Sequence, residues 1–242
     1  MVGERADSGR EIAERRMQTS QKLKRGTMQK QRSALVGLLL LWCMALILYR
    51  IHLASDKLPI WLLGNICLAA VPMLFSSAFR AANVRKRPLL AYIFLFLWLL
   101  FLPNAPYIMT DLIHLAPHDN VPLWYDLAML WFCAGTGVLF GYLSLMDVQN
   151  VIDRRFSKTV GWAVACGSLM LCGFGIYVGR FLRWNSWNAI TNPIQLVKSM
   201  IGVFIDSGTH PHPVPVTLIF GIGLIVGYMA LRVIATSMRT PM

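Results

Sequence analysis

Apolar residues gather along this chain into six long runs, and between the runs the sequence turns polar, basic or proline-rich. A run of about 20 residues crosses the hydrocarbon core of a bilayer as one helix. The runs lie at about 33–52, 58–79, 88–108, 122–146, 160–182 and 214–235. Pro59, Pro88, Pro122 and Pro215 sit near their starts, where a missing N–H costs little. Trp61, Trp98, Trp124, Trp162 and Trp184 lie near their edges, as interfacial aromatics do. The pattern predicts an all-α integral membrane protein, a six-transmembrane helix bundle.

The third run is interrupted. After Phe101 and Leu102 come Pro103 and Pro106, with Asn104 between them and Tyr107, Thr110, Asp111 and His114 behind. Each proline removes a backbone donor and frees the carbonyl four residues back. Lipid-facing backbone does not tolerate such a break, so a proline-broken third helix is expected to be buried in protein or to line a wet cavity. Asn104 can satisfy a freed carbonyl. Thr110 or Asp111 can cap a short helix, Leu112 to Ala116, ended by Pro117. Asp111 and His114 then share a face at i and i+3.

Composition agrees with the pattern. The chain is 56% hydrophobic and 14% charged, with mean hydropathy +0.55; soluble domains carry about 25% charged residues. One membrane domain, 33–236, accounts for most of the length. Residues 1–32 hold nine Lys/Arg and four Asp/Glu and read as a basic, disordered cytoplasmic tail. It has no aromatic residue to stack on bases, so nucleic-acid binding is not expected. The tail and first run imitate a signal peptide, but the run is long, and Arg50 and His52 spoil the cleavage site. It reads as an uncleaved span. Cys43, Cys67, Cys133, Cys166 and Cys172 fall inside runs without a CxxC pair and read as small apolar residues.

Charge distribution sets orientation. The loop after span two carries Arg80, Arg85, Lys86 and Arg87, and that after span four carries Arg154, Arg155 and Lys158. The loop after span three, 109–121, carries no Lys or Arg, and the loops after spans one and five carry two each, Arg50 with Lys57 and Arg183 with Lys198. The positive-inside rule then puts both termini in the cytoplasm and the segments 104–119 and 180–212 on the outer side. Gly137 with Gly141, Gly175 with Gly179, and Gly223 with Gly227 form GxxxG pairs. These read as bundle packing, with homo-oligomerisation as the second reading.

Outer-side residues supply the candidate chemistry. Asp126 lies about one turn inside span four, where an acid needs a partner or a wet cavity. Arg180 and Arg183 are the partners expected. In Arg180-Phe181-Leu182-Arg183-Trp184-Asn185-Ser186-Trp187-Asn188, a helix would put Arg180, Arg183, Trp184 and Trp187 on one face. Guanidiniums beside indoles suit an anionic lipid or other headgroup, and equally suit interfacial anchoring. Asn192 and Pro193 start a further helix. Its stripe of Ile194, Val197, Ile201 and Phe204 or Ile205, opposite Gln195, Lys198, Ser199 and Asp206, fits an amphipathic helix near 193–206 lying on the outer leaflet. His118, Asp119, His210 and His212 complete the outer-side polar set, without an HxxEH or HExxH pattern, so no metal and no cofactor is expected.

Through Asn104-Ala105-Pro106-Tyr107, Thr110-Asp111-Leu112, His114-Leu115 and Arg180-Phe181 with Arg183-Trp184-Asn185-Ser186-Trp187, the chain resembles a bacterial family of multi-pass membrane proteins classed as a domain of unknown function. The resemblance covers roughly residues 35–235. It implies a bacterial inner-membrane protein and supplies no activity. Members often have an acid after the second Trp, where this chain has Asn188.

Three function classes follow. The first is binding or transport of an anionic or headgroup-like ligand at an outward site formed by Asn104, Tyr107, Asp111, Asp126, Arg180, Arg183, Trp184, Asn185 and Trp187. The second is a membrane enzyme on a lipid-linked or envelope substrate, with Asp111 and His114 as the catalytic pair. The third is a structural or assembly partner in an envelope complex. In each, the bilayer is a partner.

Overall fold

The computed structural model describes residues 2–53, 58–115, 121–205 and 212–237. Its elements are α1 (Val2–Leu53), α2 (Leu58–Val84), α3 (Pro88–Phe101), α4 (Asn104–Tyr107), a 3₁₀ helix (Ile108–His114), α5 (Leu123–Arg155), α6 (Lys158–Arg180), α7 (Asn188–Thr191), α8 (Pro193–Ile205) and α9 (Pro213–Ser237). Six helical segments among the described residues are long and apolar enough to cross a membrane. By its contacts the chain divides between Trp42 and Cys43. In the first unit, helical backbone runs back to Val2 through the residues expected to be irregular. Those residues are rich in Glu, Arg, Lys, Gln and Met and hold no proline, so local propensity favours helix there.

In the second unit α5 is the central element. More than half of its residues are buried, Met129, Leu130, Cys133, Phe140, Leu145 and Val148 among them. Other spans attach to it by polar bonds. From the last turns of α1, Cys43 donates to Thr136 Oγ1 at 3.4 Å, and the Leu46 carbonyl accepts the Tyr125 hydroxyl at 2.8 Å. Trp98 of α3 donates to Ser144 Oγ at 3.1 Å. Tyr142 donates to the Leu224 carbonyl of α9 at 2.8 Å. Each bond satisfies a polar group that would otherwise sit bare in hydrocarbon.

The proline segment is less broken than its sequence suggests. Leu102 and Pro103 keep right-handed helical dihedrals (φ −54°, ψ −39° and φ −60°, ψ −24°), so what fails there is the hydrogen-bond ladder rather than the direction of the chain. The Ala105 N–H bonds the Leu102 carbonyl at 3.1 Å, and Asn104 Nδ2 donates to the Phe101 carbonyl at 3.0 Å. The helix then tightens to 3₁₀ over Ile108–His114. The short α-helix expected from Leu112 to Ala116 is replaced by this earlier, tighter turn. Its end at Pro117 lies outside the described residues.

Two of the three GxxxG pairs receive this segment. A Cβ on Gly137 would overlap the Ala105 carbonyl oxygen, and one on Gly141 would lie 3.1 Å from the Ala105 methyl. On α6, a Cβ on Gly175 would sit 2.6 Å from Pro103 Cγ, and one on Gly179 2.9 Å from the Tyr107 ring. Residues 103–107 therefore pack against α5 on one side and α6 on the other, each through a pair of glycines four residues apart. The third pair behaves differently: Gly223 has open space, while Gly227 abuts the Tyr142 hydroxyl.

Substituting Gly137→Ala should lower stability by about 1–3 kcal/mol, because the obstacle is a backbone atom that cannot rotate away. Gly167→Ala, with nothing within 4 Å of the added carbon, should be neutral or stabilising by up to about 1 kcal/mol. Thermal midpoints of the purified proteins in one detergent would check both; equal shifts would refute the packing account.

Candidate functional site

The up-and-down run of the spans puts the ends of α1, α3 and α6 and the starts of α2, α5 and α9 at one end of the bundle. The candidate residues collect there. Asp111, only 7% exposed, closes the turn between α3 and α5. Its Oδ2 accepts from Asn65 Nδ2 of α2 at 2.7 Å, and its Oδ1 lies 3.6 Å from Arg180 Nη1 at the end of α6. The carboxylate thus ties three segments and does not cap a helix. Thr110 does not cap either; its hydroxyl donates back to the Tyr107 carbonyl at 2.7 Å. The side chain of His114, together with His118, Asp119, Asp206 and His210, lies outside the described residues.

Asp126 is buried and ion-paired, but with Arg50 rather than with the expected Arg180 or Arg183. Arg50 Nε approaches Oδ1 at 2.5 Å and Nη2 approaches Oδ2 at 3.2 Å. Both side chains are essentially inaccessible. The paired geometry makes use of the planar guanidinium fork. Arg50 reads in sequence as a charge in the loop after span one; the structure buries it against α5. Asp126 belongs to this tie between helices and lines neither of the cavities described below.

Nor do Arg180, Arg183, Trp184 and Trp187 form one helical face. Helix α6 ends at Arg180, and Arg183 has φ +56°, in the left-handed region. That conformation costs a residue with a Cβ roughly 1–2 kcal/mol. It turns the chain so that the Trp184 N–H bonds back to the Val178 carbonyl at 3.3 Å. Asn188 Oδ1 then accepts from the Asn185 N–H at 2.8 Å, just ahead of α7. Ser186 is drawn inward: its hydroxyl accepts from Asn104 Nδ2 at 2.8 Å and donates to the Leu100 carbonyl at 3.2 Å. The two sequence motifs therefore meet through the hydrogen-bonded pair Asn104 and Ser186 as well as through Asp111 and Arg180.

Around that pair lies a cavity of about 280 Å³. Its polar lining is Asn65, Asn104, Tyr107, Trp184, Asn185 and Ser186, and Phe96, Leu99, Leu171, Phe174 and Met200 supply much of the apolar wall. A second cavity, about 560 Å³, is bounded by Arg180, Phe181, Leu182, Arg183, Trp184 and Ser199. Trp184 forms part of both. An apolar chamber thus adjoins a cationic one at Trp184. Trp187 is half exposed and lines neither.

Helix α8 closes one side of the first chamber with Leu196 and Met200. Its packed stripe is Leu196, Met200 and Val203, set against Tyr177 and Phe181. The stripe read as the apolar face of an amphipathic helix on the leaflet, Ile194, Val197 and Ile201, is exposed. The helix is apolar on two sides, one for protein and one for its surroundings.

Four of the nine expected ligand residues, Asn104, Tyr107, Trp184 and Asn185, line the apolar chamber. Arg180 and Arg183 line the cationic one, and Asp111 holds Arg180. Sequence reasoning missed Asn65, Ser186 and Arg50. An amide in the middle of an apolar run was the available signal for Asn65. Among the described residues no group of three or more His, Cys, Asp or Glu is placed to hold a metal.

An all-helical bundle with six membrane-length spans and buried ion pairs defines a multi-pass membrane protein. Residues 64–227 match the family described as protein of unknown function, DUF1361, and the chain belongs to that family. No curated protein and no solved structure matches the chain.

Removing one partner of a buried ion pair strands the other. Arg50→Met should therefore cost about 3–5 kcal/mol, and Arg50→Met with Asp126→Leu should recover most of that loss. Folded yield and thermal midpoint of the single and double variants would test this; additive losses would contradict it. For Arg183, replacement by Gly should raise stability by about 1 kcal/mol, since Gly reaches positive φ without strain. Arg183→Ala keeps the Cβ and should show no such gain in the same melting experiment.

Proposed function

We propose that this protein binds an amphiphilic, anionic ligand at the end of the bundle that carries Asp111 and Arg180. The ligand class is a membrane lipid or a lipid-linked envelope intermediate. Its apolar part occupies the chamber walled by Phe96, Leu99 and Phe174, and its anionic headgroup faces Arg180 and Arg183. The observation that carries this reading is the sharing of Trp184 between an apolar and a cationic cavity. A ligand with a tail and a charged head matches that pair of environments, and guanidinium and indole both recognise headgroups. Asp111 acts here by positioning, since its two oxygens already engage Asn65 and Arg180.

The Lys/Arg asymmetry of the loops supports an outward-facing site, with both termini in the cytoplasm. The family resemblance supports a bacterial inner membrane. Binding is favoured over passage, because buried Phe140, Leu145, Val148 and Ile176 fill the section between the two ends of the bundle. The glycine pairs on α5 and α6 are taken up within the chain, which favours packing over homo-oligomerisation as their role.

The test is a phospholipid with a photoactivatable acyl chain, incubated with the purified protein and mapped by peptide mass spectrometry. Crosslinks should concentrate in residues 96–107 and 171–200. Ala189→Trp, which places an indole where Ala189 lines the chamber, should remove most of that label without shifting the thermal midpoint. Label spread evenly over all spans and indifferent to Ala189→Trp would sink the proposal.

A further inference from the structure

The opposite end of the bundle holds a second candidate site, independent of the first. There α5, α6 and α9 leave a groove of about 590 Å³. Two cations line it, Lys158 in the first turn of α6 and Arg232 in the last third of α9. Arg232 is held only loosely by acid: its Nη2 lies 4.0 Å from Asp153 Oδ2. Its guanidinium carbon instead sits 5.8 Å from the centre of the Trp162 ring. Lys158 is exposed, and among the described residues no acidic group pairs with it. With one carboxylate against two cations, the lining carries net positive charge.

The walls of the groove are of two kinds. Lys158, Arg232 and Asn150 present donors, while Met146, Met229 and Val233 present apolar surface beside them. A soluble anion would use only the first kind. A phosphodiester joined to acyl chains would use both. Arg154 and Arg155, on the last turn of α5, add positive potential at the same end. A flexible lysine and a ring-stacked arginine across one gap suit a phosphate that both can reach. Basic pockets of this kind between membrane helices bind anionic lipid headgroups.

Small residues shape the groove. A Cβ on Gly161 would overlap the Asp153 carboxylate, so glycine at this position lets that side chain lie against α6. In that position its Oδ2 lies 4.0 Å from Arg232 Nη2. On the neighbouring turn the Tyr228 hydroxyl donates to Gln149 Oε1 at 2.5 Å, which fixes α9 against α5 just behind the groove.

We propose that this groove is a binding site for an anionic phospholipid, its phosphodiester lying between Lys158 and Arg232 and an acyl chain along Met146, Met229 and Val233. The test is native mass spectrometry of the full-length protein in detergent, titrated with phosphatidylglycerol or phosphatidylcholine. Phosphatidylglycerol should be retained several-fold more than phosphatidylcholine. Lys158→Gln, a surface change that leaves the fold intact, should lower phosphatidylglycerol retention several-fold, and Arg232→Gln at least as much. Arg85→Gln, which removes an exposed cation outside the groove, should leave it unchanged. Inorganic phosphate at millimolar concentration should fail to displace the lipid. Equal retention of the two lipids, or wild-type retention by Lys158→Gln, would overturn the site. Displacement by inorganic phosphate would reassign the groove to a soluble anion and overturn the lipid assignment.

Discussion

The fold depends on how closely residues 103–107 approach two other helices. Gly137 and Gly141 on α5, and Gly175 and Gly179 on α6, leave room only for Ala105, Pro103 and the Tyr107 ring. In a bilayer there is little hydrophobic gain from bringing helices together, since lipid tails are as apolar as leucine. Close van der Waals packing has to supply the attraction. Seating the proline segment between glycines supplies it where the helical ladder is weakest. It also covers that backbone with protein, which the bilayer requires. Asn104 is then held where it can meet Ser186, and the chamber at that end has its floor.

Ionic ties add orientation to this packing. Three aspartates of α5 face three different partners: Asp126 meets Arg50 of α1, Asp147 meets Arg80 of α2 at 3.2 Å, and Asp153 meets Arg232 of α9. A fourth pair, Asp111 with Arg180, joins the turn after α3 to the end of α6. Buried and partly buried pairs of this kind contribute little net stability, but a mispaired arrangement that strands a buried charge would be costly. Their arrangement therefore favours one order of helices around α5 over others.

Much of this was legible in the sequence, for reasons that are local. Apolar run length sets the six spans, and Asn192-Pro193 marks the start of α8. An acid inside span four announced a buried partner. Which arginine it would be was not local information: Arg50, Arg180 and Arg183 are all far from Asp126 along the chain, and Arg50, 76 residues away, looks like loop charge. The helical face expected for Arg180 through Trp187 failed because Arg183 takes a left-handed turn that only tertiary contacts can hold in a residue with a Cβ. On α8, two apolar stripes coexist, and a helical pattern alone does not say which meets protein. The GxxxG pairs were visible as glycines, but their occupant, a proline segment of the same chain, was not.

The Arg50–Asp126 pair also bears on how the chain is made. Arg50 enters the membrane with the first span, 76 residues before the carboxylate that neutralises it. Until α5 has been synthesised and inserted, the Asp126 carboxylate is not available to it, and a guanidinium short of that pairing is favoured at the water interface, its flexible stem reaching outward. The Arg50–Asp126 pairing therefore requires the fourth span to be present, and the last turns of α1 take their final place against α5 no earlier than that.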